Sequence, residues 1–233
     1  MTNPQHTTFT RFRAVAEHAV LIEFGEMISE DANAQVIHLD RALAGAAFLG
    51  FREAVPAYVS LLVEFDPLVT DHETVRQAIE THLSAPRLKL HPGTNRDVLA
   101  CYDGDFAPDL AAVAEQLGMT IEAVIETHLS GDYRVFMYGF APGYAYLAGV
   151  PAHLQLPRKP AATRAVPAGS VLIAGPQCLV STLTMPTGWW IIGRSPTRIL
   201  GDNSDRPFLF DVGDRVTFRR IDRSAFHAQL AAG

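Results

Sequence analysis

The chain has 233 residues, 48% hydrophobic and 19% charged, a balance that fits folded domains with a real core and excludes a disordered chain. Its formal charge is −6, from 25 acidic against 19 basic residues, which makes it a poor binder of nucleic acid or anionic membrane. Arginine supplies 17 of the bases, and the two lysines are Lys89 and Lys159.

At roughly 100–200 residues per domain the length suits one large or two small domains. Cys101 and Cys178 lie far apart with no CxxC and no Cys/His metal spacing, so free thiols in a reducing compartment are expected and no metal site is. The opening MTNPQHTTFTRFR carries no apolar targeting core, and no apolar run approaches the roughly 20 residues of a membrane span. A cytoplasmic location is the expectation.

In chain order, Val20–Phe24 reads as a buried strand ending at Gly25. Asp31 or Asn33 caps a helix to about Gly45, followed by extended runs over Phe48–Val55 and Ala57–Phe65, separated at Pro56. Asp71 caps a second helix with Val75, Ala78, Ile79, His82 and Leu83 in one stripe, and Leu88–Leu90 is the closing strand. This β-α-β-β-α-β order predicts an α+β, ferredoxin-like domain over residues 1–92. His91-Pro92-Gly93-Thr94-Asn95 is the linker.

Beyond the linker, Arg96–Tyr102 reads as a strand and two short helices follow, Ala107–Leu117 and Ile121–Leu129, forming an insert over 106–130. Short strands then alternate with Gly and Pro: 133–138, 170–174, 178–183, 189–192, 208–210 and 215–221. Their length and frequency predict a mainly-β barrel or sandwich over 93–233.

The two helices of the insert resemble a helix-turn-helix, but residues 103–132 hold seven acids and no lysine or arginine. A DNA reader needs cations there, so the pair reads as an αα-hairpin packed on the barrel. None of the nine histidines lies three to five residues from another. There is also no GxSxG elbow, P-loop or GxGxxG. Cys178, with no adjacent histidine base expected, reads as a strand residue rather than a nucleophile.

One stretch stands apart: GFAPGYAYL (139–147), LPRK (156–159), VPAGSVLIAGPQ (166–177) and GWWIIGRSP (188–196). Glycine and proline in an aromatic-rich loop suggest a rigid, concave apolar surface. Together with VPAYVSLLVEFDP, FAPDL and the late GDRVTFRRI, these motifs closely resemble the KipI/allophanate-hydrolase-subunit-1 family, which includes the B-type subunit of 5-oxoprolinase.

The resemblance implies a ferredoxin-like α+β domain followed by a cyclophilin-like barrel, and a larger subunit-2 or KipA-like partner, with a third subunit in some complexes. It implies a subunit, inactive alone, of an ATP-dependent amidohydrolase of the 5-oxoprolinase type. The alternatives are a carboxyltransferase subunit acting on urea or allophanate and a histidine-kinase inhibitor. No cofactor is expected on this chain alone, ATP or carboxybiotin arriving through the partners, and a homo-oligomer stays open. Arg194 is expected against a carboxylate or carboxyl-phosphate, and Gln177 at an amide or lactam edge. Backbone amides around Gly143 and Gly175 are expected to hold an oxyanion. Phe140, Pro142, Gly143, Tyr144, Arg158, Gly175 and Trp189 are expected to line the substrate site. Where relatives read Thr-Gly-Ile-Tyr-Pro after the glutamine, this chain has Cys178-Leu179-Val180-Ser181-Thr182, so its substrate can differ from theirs.

Overall fold

Alternation of apolar residues builds the first half of the chain. In this computed structural model residues 10–85, 93–203 and 207–232 are described, and the chain divides into two compact units, Met1–His91 and Pro92–Gly233. It mixes α and β throughout, with five α-helices among the described residues.

In the first unit, β1 (Arg11–Val15), β2 (Ala19–Glu23), β3 (Phe51–Pro56) and β4 (Ser60–Phe65) form an antiparallel sheet in the order β1-β2-β4-β3. Every second residue of β4, Leu61, Val63 and Phe65, is buried beside Val20 and Ile22 of β2. Helices α1 (Glu30–Gly45) and α2 (His72–Ser84) cover that face with Val36, Leu39 and Leu43, and with Val75 and Ile79.

Two expectations change in this unit. Ser29, not Asp31 or Asn33, caps α1, its Oγ accepting from Ala32 N at 3.2 Å. That choice starts the helix two to four residues earlier and lets Asn33, now buried, donate its amide to Tyr58 O. The edge beside β2 is held by β1, which residue order does not announce because its side chains are mostly exposed. The Leu88–Leu90 strand and the His91-Pro92 start of the linker lie outside the described residues.

The second unit comprises β5 (Asn95–Ala100), α3 (Leu110–Leu117), α4 (Ile121–Leu129), β6 (Tyr133–Tyr138), β7 (Ala145–Ala148), β8 (Thr163–Val166), β9 (Ser170–Ala174), β10 (Gln177–Val180), β11 (Met185–Thr187), β12 (Trp190–Arg194), β13 (Arg215–Arg220) and α5 (Arg223–Ala232). Seven strands form one sheet in the order β12-β9-β10-β7-β6-β13-β5. Its edges meet where Cys101 and Arg194 exchange two backbone hydrogen bonds of 2.8 Å, so the sheet is a nearly closed barrel. Helix α5 follows β13, where no helix was expected.

Strand β9 is buried along its whole length. Val171 and Ile173 point into the barrel with Cys178 and Val180 of β10, while Leu172 and Ala174 point outward with Leu179. The two-stranded antiparallel sheet of β8 and β11 lies over that outer face, adding Val166 and Met185. A strand covered on both faces reads as a continuous apolar run, which is why this one was legible.

The acidic α3–α4 hairpin packs on the barrel through Leu110, Val113, Ala114, Val124 and Ile125. Gly118 ends α3 in the left-handed conformation, and the Thr120 side chain caps α4. Its acids meet the basic stretch that ends the unit: Glu122 pairs with Arg220, Asp132 with Arg215 and Asp105 with Arg223. These pairs are exposed and screened by solvent, so each adds little to stability. They nonetheless account for the position of an acidic insert beside an arginine-rich strand.

Candidate functional site

The β6–β7 connection shapes a concavity beside the outer face of the barrel. Phe140 has φ +70° and Ala141 N donates to Gly139 O at 2.9 Å, so residues 139–141 form a γ-turn of the positive-φ kind, which is rare and strained. The turn holds the Phe140 ring out, 77% exposed, 5.5 Å from the Tyr144 ring. Thr182 Oγ1 donates to Pro142 O at 2.8 Å and pins the far side of the loop.

Tyr144, Tyr146 and Leu179 follow the pleat and face outward, and Trp189 precedes β12 on the same side. With Phe140, Arg158, Pro186, Thr187 and Gly188 they line a cavity of about 150 Å³. Tyr146 stands 6.0 Å from both the Tyr144 and the Trp189 rings, and the Arg158 guanidinium lies 5.7 Å from the Trp189 ring centroid. That volume suits one small ring. Four aromatic rings offer flat apolar walls, and Arg158 brings a fixed positive charge. Burial pushes the Tyr144 hydroxyl up to about 12 and raises that of Tyr146, which Arg158 partly offsets. Both phenols are therefore protonated at neutral pH and act as hydrogen-bonding groups, not as bases.

Of the residues expected at the site, Phe140, Tyr144, Arg158 and Trp189 come together. Pro142 and Gly143 support the loop from behind: a Cβ on Gly143 would sit 2.6 Å from Leu200 Cδ2. The Gly175 amide is already committed, donating to Leu156 O at 2.6 Å, so it holds no oxyanion here. Gln177 opens β10 in register with Ala148 and Ala174, half-buried and two residues short of Leu179. Arg194 ends β12 opposite Ser170 whereas Trp190 lies opposite Ile173, three residues or about 10 Å away along β9. Its guanidinium lies 5.7 Å and 5.8 Å from the Phe106 and Phe226 rings, at the barrel seam.

Tyr146, Leu179, Pro186, Thr187 and Gly188 were missed as lining residues. Tyr146 carried a signal, since Tyr144 and Tyr146 stand two apart leading into a strand and so share a face. Thr187 had none. The expectation that Cys178 has no adjacent histidine is corrected: Sγ lies 3.6 Å from His128 Nε2, because α4 delivers His128 into the barrel from 50 residues away. Nδ1 of the same ring is 2.9 Å from the Tyr102 hydroxyl, and Tyr133 donates to His128 O. Both Cys178 and His128 are fully buried; burial holds His128 down to about 3 and pushes the thiol up. The pair is neutral and sealed, a core hydrogen bond and not a thiolate–imidazolium nucleophile. Among the described residues no group of His, Cys, Asp and Glu could hold a metal ion, and no helix is long and apolar enough to cross a membrane.

Known proteins agree with this architecture. The carboxyltransferase domain, subdomain C and D, matches residues 10–210. The B-type subunit of 5-oxoprolinase from Bacillus subtilis (strain 168) is 35% identical over 228 residues, 92% of this chain and 94% of that protein. The crystal structure of TTHA0988 superposes with a TM-score of 0.76 at 35% identity, over 88% of this chain and 40% of that one. The K. lactis urea amidolyase gives 0.78 at 14% identity, over 94% of this chain and 15% of its own, a likeness of fold alone. The chain thus spans less than half of either of those solved chains.

Proposed function

The chain belongs to the carboxyltransferase domain, subdomain C and D, family, and from that premise we propose that it is the B-type subunit of a 5-oxoprolinase complex. In this reading its first unit is the ferredoxin-like domain and its second the cyclophilin-like barrel, dividing near residue 92. It works in the cytoplasm with a larger subunit-2-like partner.

The observation that carries the reading is the aromatic pocket with one guanidinium at its mouth. A five-membered lactam bearing a carboxylate suits it: the ring lies flat against Trp189, Tyr144 and Tyr146, and the carboxylate meets the Arg158 fork. Phe140 closes the exposed side. The lining residues offer phenols, one threonine hydroxyl and a cation, so this chain binds and orients while partner subunits supply ATP or carboxybiotin and the groups that move protons. Urea, neutral and without an apolar ring, has no use for these walls.

The test is to co-express the chain with its larger partner and any third subunit, and to follow ATP hydrolysis with 5-oxoproline, urea and allophanate in parallel. Turnover of 5-oxoproline is expected, with Arg158→Ala raising KM by about tenfold or more through loss of a charge-assisted contact. Turnover that survives Arg158→Ala unchanged but vanishes in well-folded Arg194→Ala or Gln177→Ala would move the site to the barrel seam or the β9–β10 turn. A stable complex without turnover of any of the three would refute the assignment.

A further inference from the structure

Arg158 is held between two backbone clamps. On one side the Trp190 indole Nε1 donates to Pro157 O at 2.7 Å; on the other, Lys159 N donates to Gly188 O at 2.7 Å. The Lys159 side chain is 9% exposed, with Nζ 2.6 Å from Asp109 Oδ2 and 2.7 Å from Thr163 Oγ1. Asp109 Oδ2 also accepts from Ile191 N at 2.8 Å, and Asp109 N donates to Ile191 O at 3.1 Å. One carboxylate therefore ties the start of α3, strand β12 and the segment that bears Arg158.

A covered ion pair of this kind is a poor device for stability alone. Desolvation cancels most of its attraction, and apolar residues of similar volume hold such a place equally well. The composition adds a second point. Arginine serves for 17 of the 19 bases, yet a lysine stands where a compact point charge must reach two partners in a narrow space. Without the clamp, an exposed arginine on a loop would sample many rotamers and present its charge over the pocket only part of the time.

We propose that Lys159 and Asp109 are a positioning pair that holds residues 157–159 so that the Arg158 guanidinium stays over Trp189, which sets the preference of the pocket for ligands bearing a carboxylate. The ligand preference rests on the substrate reading above; the positioning does not.

Nitrogen-15 spectra of the arginine Nε–Hε groups in the full chain test it directly. The Arg158 cross-peak, assigned by its loss in Arg158→Lys, is expected to be displaced upfield by the indole ring current. In Lys159→Met that displacement is lost while the amide peaks of β6 and β13 stay in place. The double variant Asp109→Asn/Lys159→Met, neutral at both positions, gives the same loss even where Asp109→Asn alone fails to fold for want of a partner to the lysine. A displaced Arg158 peak that persists in Lys159→Met and in the double variant overturns the proposal, whatever the complex turns over. In the assembled complex Lys159→Met should raise KM for 5-oxoproline about tenfold at constant kcat. A lost displacement with unchanged KM keeps the positioning pair and removes the substrate reading.

Discussion

The strained turn at Phe140 makes a quantitative prediction about stability. Phe140 holds φ +70° with its ring 77% exposed, so truncating it removes little buried area. Phe140→Ala and Phe140→Gly lose the same ring contact with Tyr144 and differ only in the backbone. Alanine keeps the strain of a positive φ, about 1–3 kcal/mol, whereas glycine removes it. Glycine gives back about 0.5–1 kcal/mol through the greater freedom of its unfolded chain. The net difference favours Phe140→Gly over Phe140→Ala by about 1 kcal/mol. Both tryptophans lie in the second unit, so their emission during urea unfolding follows the barrel. With m near 2 kcal/mol/M the midpoint of the glycine variant lies about 0.5 M above that of the alanine variant. In the assembled complex both variants should lose 5-oxoproline turnover alike, since both lack the ring. Equal midpoints, or a lower one for glycine, would refute the claim that strain is stored at this residue.

Further outcomes follow from the glycines and from the core histidine. Gly143→Ala and Gly175→Ala both place a methyl at positive φ, but only the former meets atoms within 4 Å, among them Leu200 Cδ2 and Thr182 Cγ2. Gly175→Ala should cost about 1 kcal/mol and Gly143→Ala about 2–3 kcal/mol, read as urea midpoints. His128 is neutral when folded, held down to about 3, and titrates near 6.5 when unfolded. The unfolded chain therefore binds the extra proton first, and stability present above pH 6.5 is lost as pH falls toward 3, at about 1.4 kcal/mol per unit. Between pH 6.5 and 4.5 the parent should lose about 2 kcal/mol more than His128→Gln; parallel pH profiles would show that the ring is not buried in its neutral form.

The legibility of the fold followed burial. Strands with a fully buried face, such as β4 and β9, and helices with a side-chain cap, such as α2 at Asp71, announce themselves in residue order. Strand β1, with four of five residues exposed, and helix α5 carry little of that periodic signal. The short strands β7, β8 and β11 owe their form in part to strands further along the chain, β7 pairing with β10 and β8 with β11.

The same distinction explains the site. Motif order placed Trp189 and Arg194 together because they share one stretch of nine residues, GWWIIGRSP. A strand keeps residues on a common face only at even spacing and carries them apart at about 3.3 Å each. A β-bulge between Ile191 and Gly193 sets Arg194 opposite Ser170, on the face that carries Leu172, so it is length along the strand that parts it from Trp189 and delivers it to the seam where Cys101 closes the barrel. Arg158 reached the pocket from a segment with no periodic signal at all. Its neighbours are held by Asp109, 50 residues from Lys159, by the Trp190 indole and by the Gly188 carbonyl, partners that only the folded chain assembles. A charge that must sit over an aromatic ring is therefore fixed by contacts between segments distant in sequence, and that is where substitutions remote from the pocket should alter its ligand preference.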